Sequence, residues 1–182
     1  MSRPPRSSDA ELLERIDDAL RRRTSTDPWG LGDVAPAAGI SAAGLIKRFG
    51  SKERLLHALS RHWIDGIPVA PVNPEHARDE LHAYGRAHFA TASSSAAITG
   101  LGELMRDLWS REGGDLLREG WDRQARYFEA LLRHLPLRDD IDCRAAALTL
   151  LDALHGSLYR QAVSLEPTPP EDTIDHLVKG WT

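Results

Sequence analysis

Twice between residues 31 and 66 a glycine is followed almost at once by a serine, at Gly39-Ile40-Ser41 and at Gly50-Ser51. Glycine takes the left-handed backbone that ends a helix, and a serine hydroxyl accepts from the first amides of the helix that follows. The stretch LGDVAPAAGISAAGLIKRFGSKERLLHALSRHWIDG therefore reads as helix, tight turn, helix, tight turn, helix. Upstream, Ser8 and Glu11 have the spacing of a capping box, which starts a further helix. Leu12, Leu13, Ile16, Ala19 and Leu20 recur along it at helical spacing. Arg21, Arg22 and Arg23 stand where cations favour a helix C-terminus. Pro36 falls inside the first segment of the motif and removes a backbone donor, so the sequence predicts a short or kinked helix there.

Past Asp65 the segment GIPVAPVNPEH carries three prolines, which marks a boundary between residues 1–65 and 66–182. Beyond it, 81–92, 101–110, 115–135, 139–165 and 171–182 show apolar residues at i, i+3 and i+4, and SSSAA at 93–97 reads as a helix end. On 115–135 the apolar side is Leu117, Trp121, Phe128, Leu131, Leu132 and Leu135. On 139–165 a near-heptad stripe runs through Ile141, Ala145, Leu148, Leu151, Leu154, Leu158 and Ala162. No Val/Ile-rich alternation points to strand. The expected fold is all-α: an N-terminal three-helix helix-turn-helix domain followed by an antiparallel helical bundle.

The residues Val34-Ala35, Ala38-Gly39-Ile40-Ser41, Leu45, Phe49-Gly50-Ser51-Lys52-Glu53 and Leu55-Leu56 closely resemble the DNA-binding motif of the TetR family of transcriptional regulators. The resemblance spans residues 9 to 65, and its specificity lies in pairing A-G-[IV]-S with F-x-S-K-E. It implies a homodimer that binds double-stranded operator DNA through a recognition helix in the major groove and releases it when a small-molecule effector binds. By resemblance, Lys52 and Arg48 clamp the phosphate backbone while Ala42, Ala43, Gly44 and Lys47 face base edges. The family usually has an aromatic phosphate-binding residue where this chain has Ile46, and often a hydroxyl residue where it has Gly44.

The residues themselves support the same picture. Leu45 and Phe49, four apart with Ile40 nearby, anchor a short helix by one face and leave Lys47 and Arg48 pointing elsewhere. Helices beginning at Ser41 and Ser51 present unpaired amides suited to phosphate. Arg3 and Arg6, ahead of the first helix, are candidates for the minor groove or flanking phosphates. A net charge of −4 argues at first against a polyanion. It hides an asymmetry: residues 1–65 carry 11 Lys and Arg against 9 Asp and Glu, and 66–182 carry 12 against 18.

In the C-terminal part, Tyr84, His88, Met105, Trp109, Trp121, Tyr127, Phe128, His155 and Tyr159 are candidates both for plain core and for an effector pocket, which is typically apolar with a few polar groups. The long 139–165 helix with the final helix is the candidate dimer seam. No His pair has convincing ligand spacing, and the single Cys143 excludes a multi-cysteine zinc site within one chain, so no metal or cofactor is expected. With no signal-like N-terminus and no apolar run of about 18 residues, a cytoplasmic protein without membrane contact is expected. No nucleophile elbow, P-loop, dinucleotide fingerprint or H-E-x-x-H occurs, which argues against an enzyme. The leading expectation is a ligand-responsive repressor acting at a pseudo-palindromic operator. The alternative is a small-molecule-binding helical dimer whose DNA binding has decayed.

Overall fold

The computed structural model describes residues 7–23, 25, 27–91, 93–164 and 168–182, and among these all regular structure is helical. The helices are α1 (Asp9–Arg21), α2 (Leu31–Ala38), α3 (Ala42–Phe49), α4 (Lys52–Gly66), α5 (Ala77–Phe89), α6 (Ser94–Leu108), α7 (Arg111–Leu132), α8 (Cys143–Gln161) and α9 (Pro170–Trp181), with one 3₁₀ turn at Pro74–His76. The chain divides into two units, Met1–Gly66 and Ile67–Thr182. Arg3 and Arg6 lie outside the described residues.

In the first unit local chemistry sets every helix end. The Ser8 hydroxyl accepts from the Glu11 amide at 3.2 Å, and the Glu11 carboxylate accepts from the Ser8 amide at 2.9 Å. Both halves of the capping box are thus made, and α1 starts there. Gly39 at φ +68 and Gly50 at φ +90 end α2 and α3 in a backbone region that side-chain-bearing residues avoid. The Ser41 and Ser51 hydroxyls accept from the amides of Gly44 and Arg54, both at 3.1 Å. At the start of α2, the Asp33 carboxylate accepts from the Gly30 amide at 2.7 Å.

Pro36 lies beyond the first turn of α2, so the Gly32 carbonyl loses its helical partner. Both residues are exposed, and water is available to that carbonyl. The helix is short, as expected, and runs on through Pro36 to Ala38. Among the described residues this unit consists of α1 and the three helices of the motif, α2, α3 and α4. The buried side chains of α1, α2, α3 and α4 share one core: Leu12, Leu13, Ile16, Val34, Ala38, Leu45 and Leu55, joined by Trp29 from the preceding loop.

In the second unit, α7 packs on α8 and α6, α5 on α7, α8 and α9, and α8 also on α6 and α9. Three helices start earlier or later than apolar spacing suggests. Ser93 caps α6 through the Ala96 amide at 3.2 Å, seven residues ahead of the expected start, so SSSAA is a helix beginning. Ser110 caps α7 through the Gly113 amide at 2.9 Å, and Asp142 caps α8 through the Arg144 amide at 2.8 Å. Polar caps carry no apolar periodicity, which is why the stripe alone misplaces these ends.

The buried faces are also rotated from expectation. On α7 the face runs through Leu116, Gly120, Gln124, Tyr127, Phe128 and Leu131, leaving Leu117 and Trp121 half-buried on its flank. On α8 it runs through Ala146, Ala147, Leu150, Leu151, Leu154, Ser157 and Gln161, so Leu148 of the expected stripe is 42 % exposed. Tyr84 meets Phe128 edge-on at 5.5 Å and Tyr127 at 5.2 Å, locking α5 to α7. Glu80 accepts from the Tyr127 hydroxyl and from the Val72 and Asn73 amides, which fastens the proline-rich segment to α5 and α7.

The neighbouring glycines at the start of α7 meet opposite surroundings. A Cβ on Gly113 would lie 2.5 Å from the Asp107 carbonyl oxygen, while one on Gly114 would meet open space. Gly113→Ala is expected to destabilise the protein by about 1–3 kcal/mol through overpacking. Gly114→Ala is expected to stabilise it by up to about 1 kcal/mol through helix propensity. Urea unfolding of the two variants checks the opposed signs.

Candidate nucleic-acid interface and effector cavity

The short helix α3 is held by one face and free on the other. Leu45 is fully buried, with Ile40 and Phe49 packed against the same core. One residue past Leu45, Ile46 is 43 % exposed, and Lys47 is exposed and makes no hydrogen bond or ion pair among the described residues. Ser41 and Ala43 are exposed and Ala42 and Gly44 half-buried, so the N-terminal turn of α3 is open on the side that carries Lys47. A Cβ on Gly44 would meet Ile40 and Ser41 at 3.4 Å, so the chain's own packing does not demand glycine at this point.

Two of the three expected cations behave differently from Lys47. Arg48 pairs with the Asp9 carboxylate and donates to the Ser7 carbonyl at 2.7 Å. Its guanidinium thus ties the C-terminal end of α3 to the start of α1, close to where the segment bearing Arg3 and Arg6 joins. Lys52 donates to the Trp29 carbonyl and lies 4.2 Å from the centroid of the Trp29 ring. Its ammonium holds the α1–α2 loop against α4. Buried Trp29, which makes both contacts, gave no periodic signal in its loop.

Arg54, in the first turn of α4, was not among the candidates. It is exposed, its guanidinium passes 3.2 Å from where a Cβ on Gly50 would sit, and so it lies beside the α3–α4 turn. The signal was present in the sequence, since Arg54 is three residues beyond the Ser51 cap. Basic side chains there adjoin the Ser51 helix start, where amide dipoles already favour anions.

The second unit has a cavity of about 420 Å³ between α7 and α8. Trp121 and Asp122 with Arg118 form the α7 wall, and Leu148, Leu151, Asp152, His155, Gly156 and Tyr159 the α8 wall. Of the candidate effector residues, the structure brings together Trp121, His155 and Tyr159 here. Tyr84, Tyr127 and Phe128 are buried in the α5–α7 core, with His88 stacked on Tyr84 at 4.1 Å. Met105 and Trp109 stand on the outside of α6, Trp109 at 87 % exposure, so neither lines this cavity.

His155 joins cavity to core. Its Nδ1 lies 3.0 Å from the Leu151 carbonyl and its ring meets Phe89 at 5.2 Å and Trp121 at 5.4 Å. Burial pushes its pKa below the ordinary 6.5, against the opposing pull of the Leu151 hydrogen bond and the Asp152 charge. The ring is therefore neutral, Nδ1–H donating to Leu151 and Nε2 left as an acceptor. Burial raises Tyr84 to about 12, keeping its hydroxyl protonated as it accepts from the Gln124 amide at 3.1 Å.

A histidine whose folded pKa is depressed subtracts nothing above the unfolded value. As pH falls through 6.5 the unfolded chain takes the proton first, and stability is lost. His155→Gln is therefore expected to flatten the fall in unfolding free energy between pH 7 and 5 relative to the unaltered protein, as read from urea titrations across that range.

No protein-family model matches the sequence, and no curated protein is similar to it. Among solved structures the architecture recurs over nearly the whole chain. A transcriptional regulator from Rhodococcus sp. superposes with a TM-score of 0.66 at 17 % identity, covering 96 % of each chain. A TetR transcription regulator from Haloarcula marismortui gives 0.66 at 18 % identity, covering 94 % of this chain and 96 % of its own. The ketosteroid transcriptional regulator KstR2 of Mycobacterium tuberculosis gives 0.52 at 19 %, covering 99 % of both. The chain has the fold of the TetR-family transcriptional regulators.

Proposed function

We propose that this protein is a ligand-responsive, DNA-binding transcriptional regulator, a repressor released from a pseudo-palindromic operator by a small molecule. The observation that carries the reading is α3 itself: its apolar face is sunk in the core through Leu45 while Lys47 projects exposed from the opposite side. An eight-residue rod held in this way fits a major groove, which is about 12 Å wide. Lys47 then reaches base edges, and Ala42 and Ala43 offer methyl contacts to thymine. Arg48, Arg54 and the amides at Ser41 and Ser51 meet phosphates. Residues 1–65 serve as the DNA-binding domain and 66–182 as the effector-binding and dimerisation domain.

Two-fold pairing would place two recognition helices on successive turns of DNA. The outward face of α8 supports its place in the seam: Ala145 and Thr149 are exposed on it and small enough to let a second helix approach closely. The outward residues of α9 are Asp172, His176 and Lys179, so the final helix contributes little apolar area. Among the described residues no helix is long and apolar enough to cross a membrane.

One observation favours the alternative of a helical dimer with decayed DNA binding. Ile46 exposes an apolar side chain where the family usually carries an aromatic phosphate-binding residue, and Arg48 is engaged within the chain. Titration of the purified protein, at two salt concentrations, against sequences selected from a random DNA pool separates the two readings. A regulator loses affinity steeply as salt rises, and a decayed one binds little at either concentration.

Lys47→Ala is expected to relax base discrimination, costing about 1–3 kcal/mol on the selected operator and little on random DNA. Arg48→Ala and Arg54→Ala should weaken both alike and lower the salt slope by about 1 per protomer, as read by fluorescence anisotropy. Ile46→Tyr restores a donor toward phosphate and is expected to tighten binding to all sequences by roughly tenfold or more, about the worth of one hydrogen bond to a charged group.

A further inference from the structure

The walls of the α7–α8 cavity combine aromatic rings with two exposed carboxylates. Trp121 lines it from α7 and Tyr159 from α8, and the face of an aromatic ring attracts a cation. Two carboxylates, Asp122 and Asp152, stand on the same walls. The one cationic lining residue, Arg118, pairs with Asp115 at 2.7 Å, a carboxylate on its own helix. Asp122 has only a loose neighbour in Arg144 at 3.9 Å, and Asp152 forms no ion pair among the described residues. The histidine beside Asp152 is neutral for the reason given above and supplies no compensating charge.

We propose that this cavity is the effector site and that its effector is a lipophilic organic cation: a permanently charged or strongly basic group carried on aromatic or branched apolar substituents. The proposal rests on the regulator reading and names the chemical class that reading left open. Leu148 and Leu151 provide apolar area for the substituents. Trp121 and Tyr159 supply ring faces, and the two carboxylates supply the field that excludes anions. A weakly hydrated cation loses little on leaving water, so it gains from the rings and acids what a small ammonium ion would forfeit in desolvation. At about 420 Å³ the space lies within the range of small-molecule sites. Leu148 and Tyr159, 42 % and 40 % exposed, border the outward face of α8. An occupant therefore sits beside the seam proposed above, where it can bias how two copies pair.

The test uses two probes of the same shape and opposite charge, tetraphenylphosphonium and tetraphenylborate, titrated calorimetrically into the full-length protein. The expected result is binding of the phosphonium and at least tenfold weaker binding of the borate. Asp122→Asn with Asp152→Asn should reduce phosphonium affinity roughly tenfold, as expected for the loss of two partly screened charges. Trp121→Leu, which keeps apolar volume, should reduce it roughly fivefold through loss of the ring face. Both acids are exposed, so the double amide variant retains the fold, and its circular dichroism should match the parent. Equal binding of the two probes, indifference to the double substitution, or no phosphonium binding overturns the proposal. A parallel DNA titration keeps the two readings apart. Operator binding without charge discrimination sinks the cation assignment and leaves the regulator standing. Acid-dependent phosphonium binding without any DNA binding does the reverse.

Discussion

Burial of Leu45 is the contact on which the behaviour of α3 depends. A helix of eight residues has too few internal hydrogen bonds to persist alone in water, because the first turn is entropically costly and little propagation follows. Its persistence comes from one leucine sunk completely into a core built by α1, α2 and α4, with Ile40 and Phe49 closing around it. Truncating a side chain so placed costs about 2–5 kcal/mol in comparable cores, a large part of a small domain's total stability. The same anchoring decides direction. With Leu45 and Phe49 inward, helical geometry turns Lys47 outward, so the chemistry of the exposed face follows from packing on the hidden one.

Around this anchor the charged residues divide into those that hold the scaffold and those that remain available. Lys52 braces the loop through the Trp29 carbonyl and ring, and Arg48 ties α3 to the start of α1. Such contacts position neighbouring donors more than they add stability, since partly exposed ion pairs are worth little. Lys47 and Arg54 are exposed cations on the helices that begin after Ser41 and Ser51. The second unit shows the same division. Its core is closed by aromatic contacts among Tyr84, Tyr127 and Phe128, whereas Trp121 and Tyr159 stand at the cavity beside Asp122 and Asp152.

The helices of the first unit were readable because their ends are written in local chemistry. Ser8 with Glu11, Gly39 with Ser41 and Gly50 with Ser51 each specify a backbone event within a few residues, and each forms where expected. In the second unit the existence of five helices was readable from apolar spacing, but their starts and faces were not. Ser93 and Ser110 cap helices ahead of the first periodic residue, and Asp142 caps α8 after Ile141, the first residue of its stripe. Small residues such as Gly120 and Ala147 occupy buried positions that a count of large apolar side chains overlooks.

The amino-acid order by itself determined the all-helical class, the turns on either side of α3 and which residue of that helix faces inward, because caps and 3.6-residue periodicity act over a single turn. Only the tertiary structure decided that Lys52 would be occupied by Trp29, that Arg48 would reach Asp9, and that Trp121, His155 and Tyr159 would share one cavity while Tyr84 and Phe128 would not. The first two contacts join residues 23 and 39 positions apart, and the cavity joins residues of α7 with residues of α8. Pairings of that kind are set by how helices roll against one another as their apolar faces close, and no pattern local to one helix records that rotation.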